Sequence, residues 1–96
     1  MSPSGAPSKV RCAHILVKTL TEAKTVQDRL AKGESFSVVA QQVSLCPSAK
    51  RGGDLGKFGR GQMVKEFEVV AFTLPKGEVS QPVKTKFGYH IIKRLE

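Results

Sequence analysis

Apolar residues first alternate along this chain and then recur at helical spacing. Over residues 9–18 (KVRCAHILVK) a period of two puts Val10, Cys12, His14 and Leu16 on one face, and Arg11, Ala13, Ile15 and Val17 on the other. Both faces are mostly apolar, so the segment reads as a central strand covered on two sides. Thr19-Leu20-Thr21-Glu22 then has capping-box spacing, with Thr19 as N-cap and Glu22 at the third helical position. It predicts a helix to about Lys32, with Ala23, Val26, Leu30 and Ala31 on the inner stripe and Gly33 as its stop. Ser35 caps a second predicted helix, in which Phe36, Val39, Ala40 and Val43 repeat at i, i+3, i+4 and i+7.

Between Ser44 and Gly61 periodicity gives way to the glycine-rich run RGGDLGKFGRG (51–61), with a short strand expected over Leu55–Phe58 between tight turns. Val64 to Phe72 reads as a third helix that buries Phe67, Val70 and Ala71, with Leu74 just beyond and Pro75-Lys76-Gly77 ending it. Val79–Thr85 and Tyr89–Leu95 are expected strands joined by a Lys86-Phe87-Gly88 turn. The order β-α-α-loop-β-α-β-β defines an α+β fold, a small and largely antiparallel sheet with helices packed on it. Residues 1–8 (MSPSGAPS) are small, uncharged and Pro/Ser-rich, the pattern of a flexible leader ahead of one folded domain over 9–96.

The charge balance adds a question. Sixteen Lys+Arg face eight Asp+Glu among 96 residues, a formal net charge of +8. Lys84, Lys86, Lys93 and Arg94 group in the last hairpin, and Lys50, Arg51, Lys57 and Arg60 form a second group offset only by Asp54. Such charge attracts polyanions by counterion release. With aromatic residues at 6%, no strand carries the paired exposed aromatics of a base-stacking platform, so the nucleic-acid contact expected is weak and nonspecific. No apolar run approaches the roughly 18 residues of a membrane span, and the start lacks a secretory pattern. Two cysteines, Cys12 and Cys46, make no disulfide framework, which points to free thiols in a reducing, cytoplasmic compartment.

Three constellations compete for chemistry. The glycine run lacks the Lys-Ser/Thr terminus of a phosphate loop and is interrupted by Phe58, so its glycines read as turn residues. Cys12, His14, Cys46 and His90 match no standard zinc-finger spacing, and no metal or cofactor is expected. Cys46 with His14 or His90 makes a nucleophilic pair on paper, yet Asp54 is the only acidic residue near these motifs. A buried thiol with two histidines hydrogen-bonded within a sheet is the simpler arrangement.

Read together, CAHILVK (12–18), SLCPSAKRGGDLG (44–56), GQMV (61–64) and FGYHII (87–92) resemble the opening strand, central block and closing hairpin of parvulin-type peptidyl-prolyl cis/trans isomerases. The resemblance runs in order from about Arg11 to Leu95. It implies a four-stranded antiparallel sheet surrounded by about four helices, an FKBP-like superfold with an extra helical turn near Pro47–Lys50. It also implies a monomeric isomerase, without cofactor, acting on proline-containing peptides or unfolded segments. Carried over by position, His14 and His90 are the paired histidines, the Cys46 thiol faces the imide, and Thr85 bridges the histidines. Leu55, Met63 and Phe67 form the proline pocket, bordered by Leu16, Phe58 and Phe87. Because the barrier to be lowered is rotational, a non-covalent role for Cys46 is the preferred reading and attack on the carbonyl the other.

Two departures bear on specificity. Phosphoserine-specific members of the family carry adjacent arginines in a basic loop after the first strand. Here Lys18 runs directly into Thr19-Leu20-Thr21, leaving Lys18, Lys50 and Arg51 as candidates for anion contact. Phe87 and Val64 stand where phospho-specific members are more polar. The resemblance is thus to the small, phosphate-independent branch. A second reading of the same residues is a catalytically weak parvulin fold used as a basic protein-docking or nucleic-acid-binding module.

Overall fold

The strand predicted from residue 9 forms the spine of the sheet. The computed structural model describes residues 8–96, and the expected leader, Ser8 apart, lies outside the described residues. The elements are β1 (Lys9–Val17), α1 (Leu20–Ala31), α2 (Phe36–Val43), a 3-10 turn (Pro47–Arg51), β2 (Asp54–Gly59), α3 (Lys65–Thr73), β3 (Val83–Thr85) and β4 (Gly88–Arg94). All pairings are antiparallel, in the order β2-β1-β4-β3, so β1 and β4 are central.

The two apolar faces of β1 explain the layering. Ala13, Ile15 and Val17 pack with Ile91 under Ala23 and Val26 of α1 and Phe36, Val39 and Ala40 of α2. Val10, Cys12 and Ile92 pack on the opposite face with Phe58, and with Phe67 and Ala71 of α3. Each fully buried aliphatic of this kind contributes about 1.5–3 kcal/mol, so both faces of the central strands hold the layers together. The capping box forms: Glu22 N–H donates to Thr19 Oγ1 and Thr19 N–H to Glu22 Oε1, both at 3.1 Å. Ser35 Oγ accepts from Val38 N–H at 3.4 Å and starts α2.

Among the described residues three α-helices and the 3-10 turn make up the four helical elements expected. Three expectations change in detail. Ala31, the last residue of α1, is exposed, and the buried residues of the helix are Ala23 and Val26. Val64 is the N-cap of α3 and not its first residue. The strand expected over Val79–Thr85 is reduced to Val83–Thr85 plus an isolated bridge between Val79 and Lys93. Pro82 has no N–H for a ladder, and at Ser80 the side chain joins in: Ile92 N–H donates to Ser80 Oγ at 2.9 Å while Ser80 N–H donates to Ile92 O at 2.7 Å.

Candidate active site

The floor of the site comes from strand register. β1 pairs Leu16 with His90 and His14 with Ile92 in β4, which makes the two imidazoles diagonal neighbours on the α3 face. Their Nδ1 atoms are 2.9 Å apart, and the rings stack with centroids 5.1 Å apart. Thr85 Oγ1 lies 2.7 Å from His90 Nε2 and accepts from Phe87 N–H at 3.1 Å. Thr85 therefore does not bridge the histidines; it stands at the far end of a row Thr85–His90–His14. The arrangement that uses the hydroxyl proton has Thr85 donating to His90 Nε2 and His90 Nδ1–H donating to His14 Nδ1. His14 then carries its proton on Nε2, a buried atom with no hydrogen-bond partner among the described residues.

Phe67 of α3 closes the floor, its ring edge-on to both imidazoles at centroid distances of 5.5 and 5.4 Å. Burial beneath this ring disfavours the imidazolium. It pushes His14 down to about 4, with His90 as a lesser cause, and lowers His90 as well. The floor is neutral at neutral pH.

Above it opens a cleft of about 480 Å³. Leu55 enters from a bulge in β2: between Arg11 and Ala13 β1 advances two residues while β2 goes from Lys57 to Asp54. Gly56 takes φ +73° in that bulge, and its N–H donates to Asp54 Oδ1 at 2.8 Å while Arg11 pairs with the same carboxylate. That pairing holds the Asp54 carboxyl below its usual range. One residue earlier, Gly53 lies against β1. His14 N–H donates to Gly53 O at 2.9 Å, and a Cβ on Gly53 would come within 2.4 Å of His14 O. The glycine-rich run thus serves close strand approach at a catalytic-site candidate.

The segment leaving α2 is stitched to β1 at Leu16. Leu16 N–H donates to Ser44 Oγ at 3.0 Å, Leu45 N–H to Leu16 O at 2.8 Å, and Cys46 N–H to Ser44 Oγ at 3.4 Å. This brings Leu45, Cys46 and Pro47 to the cleft. Cys46 is a free, partly buried thiol with no hydrogen bond to either histidine among the described residues.

The structure brings His14, Leu16, Cys46, Leu55, Met63, Phe67, Phe87 and His90 into one cleft. Thr85 sits behind it, buried against His90. Phe58 does not border the cleft: it is 3% exposed and packs beneath it, its ring 6.0 Å from Phe67 and 6.2 Å from Phe72. It pairs with Val10 in the β1–β2 ladder, and this register turns it into the core. Lys18, Lys50 and Arg51 are exposed and none lines the cleft. Arg51 Nε instead meets the Asp54 carbonyl oxygen at 3.4 Å. Leu45, Pro47 and Gln62 line the cleft without having been singled out from sequence. Each adjoins a singled-out residue, Cys46 or Met63, and adjacency in an irregular segment was the available signal. Among the described residues no three His, Cys, Asp or Glu side chains stand where one metal ion would join them.

The family profile described as Rotamase, PPIC-type PPIASE domain, matches residues 14–96. The foldase protein PrsA of Geobacillus kaustophilus is 59% identical over 86 residues, which are 88% of this chain and 31% of that protein. Among solved structures, Pin from the psychrophilic archaeon Cenarcheaum symbiosum is 56% identical with a TM-score of 0.81, and the match covers 99% of this chain and 100% of that one. NmPin, the parvulin of Nitrosopumilus maritimus, is 48% identical with a TM-score of 0.85, over 96% of this chain and 100% of its own. The chain spans less than a third of the length of the Geobacillus foldase. Fold, site and matches agree, and the chain belongs to the family of PPIC-type peptidyl-prolyl isomerase, or rotamase, domains.

Proposed function

We propose that the chain catalyses cis/trans rotation about X-Pro bonds by stabilising the twisted amide non-covalently, with no requirement for phosphate before the proline. The observation that carries this reading is the apolar cleft of about 480 Å³ set directly over a neutral, buried histidine pair.

Amide resonance sets a barrier of about 18–20 kcal/mol to rotation, and uncatalysed X-Pro exchange takes roughly tens to hundreds of seconds. At the twisted transition state resonance is lost: the carbonyl oxygen carries less negative charge, and the nitrogen becomes pyramidal with an available lone pair. Leu55, Met63 and Phe67 hold the pyrrolidine ring while the carbonyl of the preceding residue turns. An apolar surround disfavours the polar planar amide more than the twisted one, which is binding energy expressed in the transition state. The neutral Nε2–H tautomer of His14, buried and without a hydrogen-bond partner among the described residues, adds no charge to the floor of the cleft. His90 and Thr85 fix that tautomer through the hydrogen-bond row.

The thiol of Cys46 has no histidine within hydrogen-bond distance to act as its base, which favours a non-covalent role. No arginine lines the cleft, and Lys18, Lys50 and Arg51 stand outside it, so nothing there makes a bidentate clamp for a dianion. Proline-containing peptides or unfolded segments are the substrate class, in keeping with the foldase name of the Geobacillus relative. Two free cysteines fit a reducing, cytoplasmic setting, and a cleft complete within one chain fits a monomer. The test is cis-to-trans exchange of X-Pro tetrapeptides, read by two-dimensional NMR exchange or a protease-coupled assay. Micromolar protein is expected to raise the rate well above background, and a rate left at background sinks the reading. Cys46→Ser retains measurable activity if no covalent bond forms; complete loss in a folded variant would establish the covalent route.

A further inference from the structure

Gln62 lines the cleft beside Met63, between the β2 bulge and the start of α3. Its side chain is oriented by the backbone: Gly59 N–H donates to Gln62 Oε1 at 2.6 Å. That bond assigns the amide, since only the oxygen end accepts. The Nε2 end, with two donors, has no partner among the described residues. Apart from His14 on the floor and the weakly donating Cys46 thiol, Gln62 is the lining side chain that offers donors to a ligand.

The chemistry of an X-Pro segment gives this asymmetry a meaning. Proline has no N–H, so the segment presents carbonyl acceptors with a gap in its donors. A wall residue that offered an acceptor there would leave it unmatched; Gln62 has its acceptor already occupied and turns donors outward. We infer that Gln62 Nε2 donates a hydrogen bond to the carbonyl oxygen of the substrate proline, which makes Gln62 a substrate-backbone contact of the cleft. The choice of carbonyl follows from the motion. The carbonyl before proline sweeps through the rotation, whereas the proline's own carbonyl stays with the ring held by Leu55, Met63 and Phe67. A donor fixed to the backbone of Gly59 serves the stationary side. Such a contact is equal in ground and transition states, so it acts on KM and leaves kcat unchanged.

This inference rests on the isomerase reading, and the experiment separates the two. Exchange kinetics of an Ala-Leu-Pro-Phe tetrapeptide are measured for the wild type, Gln62→Met and Gln62→Glu. The Glu variant keeps an oxygen for Gly59 N–H and so preserves the local fold, while the Met variant removes all polar atoms. Both are expected to raise KM roughly three- to ten-fold with kcat within two-fold. The same peptide with its proline carbonyl replaced by a thiocarbonyl, a weaker acceptor, is expected to bind the wild type less well. It binds Gln62→Met as the parent peptide does. Unchanged KM in both variants, or an equal thiocarbonyl penalty in wild type and Gln62→Met, overturns the contact while the isomerase reading stands. A wild type that leaves exchange at background overturns both.

Discussion

Two buried imidazoles with nitrogens 2.9 Å apart cannot share that floor as cations, and their chemistry follows from this constraint. Both histidines have pKa values lowered from the ordinary 6.5, His14 to about 4, chiefly by burial. Between the folded and unfolded values the unfolded chain binds a proton that the native protein refuses, so stability rises with pH in that window. The contribution is complete above about pH 6.5 and is lost as pH falls toward 4. For His14 the shift from 6.5 to about 4 corresponds to roughly 3 kcal/mol. Asp54, Glu34 and Glu96 are held below their usual range by arginine or lysine partners and lose their contributions only further down. The urea midpoint is therefore expected to fall steadily from pH 6.5 to 4 in the wild type and to fall less in His14→Phe. Equal slopes in the two proteins would place the titration elsewhere. His14 and His90 lie 76 positions apart, and alternation alone gave only the face on which each stands. Their pairing was legible through the family resemblance, whereas the direct Nδ1 contact and the outer place of Thr85 needed the register of β4 with β1 and with β3.

At the scale of elements, the same glycine-rich run that lacks a phosphate-loop pattern sets where β1 passes the site. Gly53 has φ +85° and would place a Cβ within 2.4 Å of the His14 carbonyl oxygen. Gly53→Ala is expected to cost roughly 2–4 kcal/mol, through left-handed strain plus displacement of a backbone it cannot push aside cheaply. It should also lower kcat/KM, because the strand that moves carries His14. Thr19→Ala makes the contrast. It removes the capping box of α1, a helix on the opposite face of the sheet, at about 1 kcal/mol. Chemical denaturation with exchange kinetics on both variants tests this: full kcat/KM in Gly53→Ala would mean that close strand approach does not seat His14. What was legible here follows from local chemistry. The capping box, the Ser35 cap and the i, i+3, i+4, i+7 stripe of α2 are contained within single segments. The β2 bulge and the break before β3 were hidden because each depends on a partner strand. Leu55 reaches the cleft only because β2 spends an extra residue against β1, and Ser80 meets Ile92 partly through its side chain. The 3-10 turn has no periodic signal at all, since five residues are too few to show one.

For the molecule as a whole, the sequence states a net charge of +8 but not where the charge acts. The ion pairs recorded on the surface engage Arg11, Lys57, Arg29 and Arg60 with Asp54, Glu96, Glu34 and Glu68. Exposed pairs of this kind add little stability individually. The Arg11–Glu96–Lys57 cluster nevertheless ties the last residue to β1 and β2. The cleft itself has no lysine, arginine, aspartate or glutamate in its lining, and its histidines are neutral near pH 7. At its edge Lys86 Nζ lies 5.3 Å from the ring of Phe87, which lines the cleft. The basic surface can therefore attract an anionic substrate from a distance but cannot grip it at the reacting bond. These two kinds of attraction respond differently to salt, because a field from exposed charges is screened over about 8 Å at physiological ionic strength. A tetrapeptide with phosphoserine before proline is expected to show at most a modest KM advantage over serine in low salt. The advantage disappears at roughly 1 M salt, where the screening length drops to about 3 Å, and kcat is the same for both peptides throughout. A phosphate clamp would behave otherwise, since bidentate contacts at the reacting residue survive salt and can act on the transition state. A phosphopeptide preference that persists in high salt, or that appears in kcat, would therefore show a dianion site that the cleft lining does not contain.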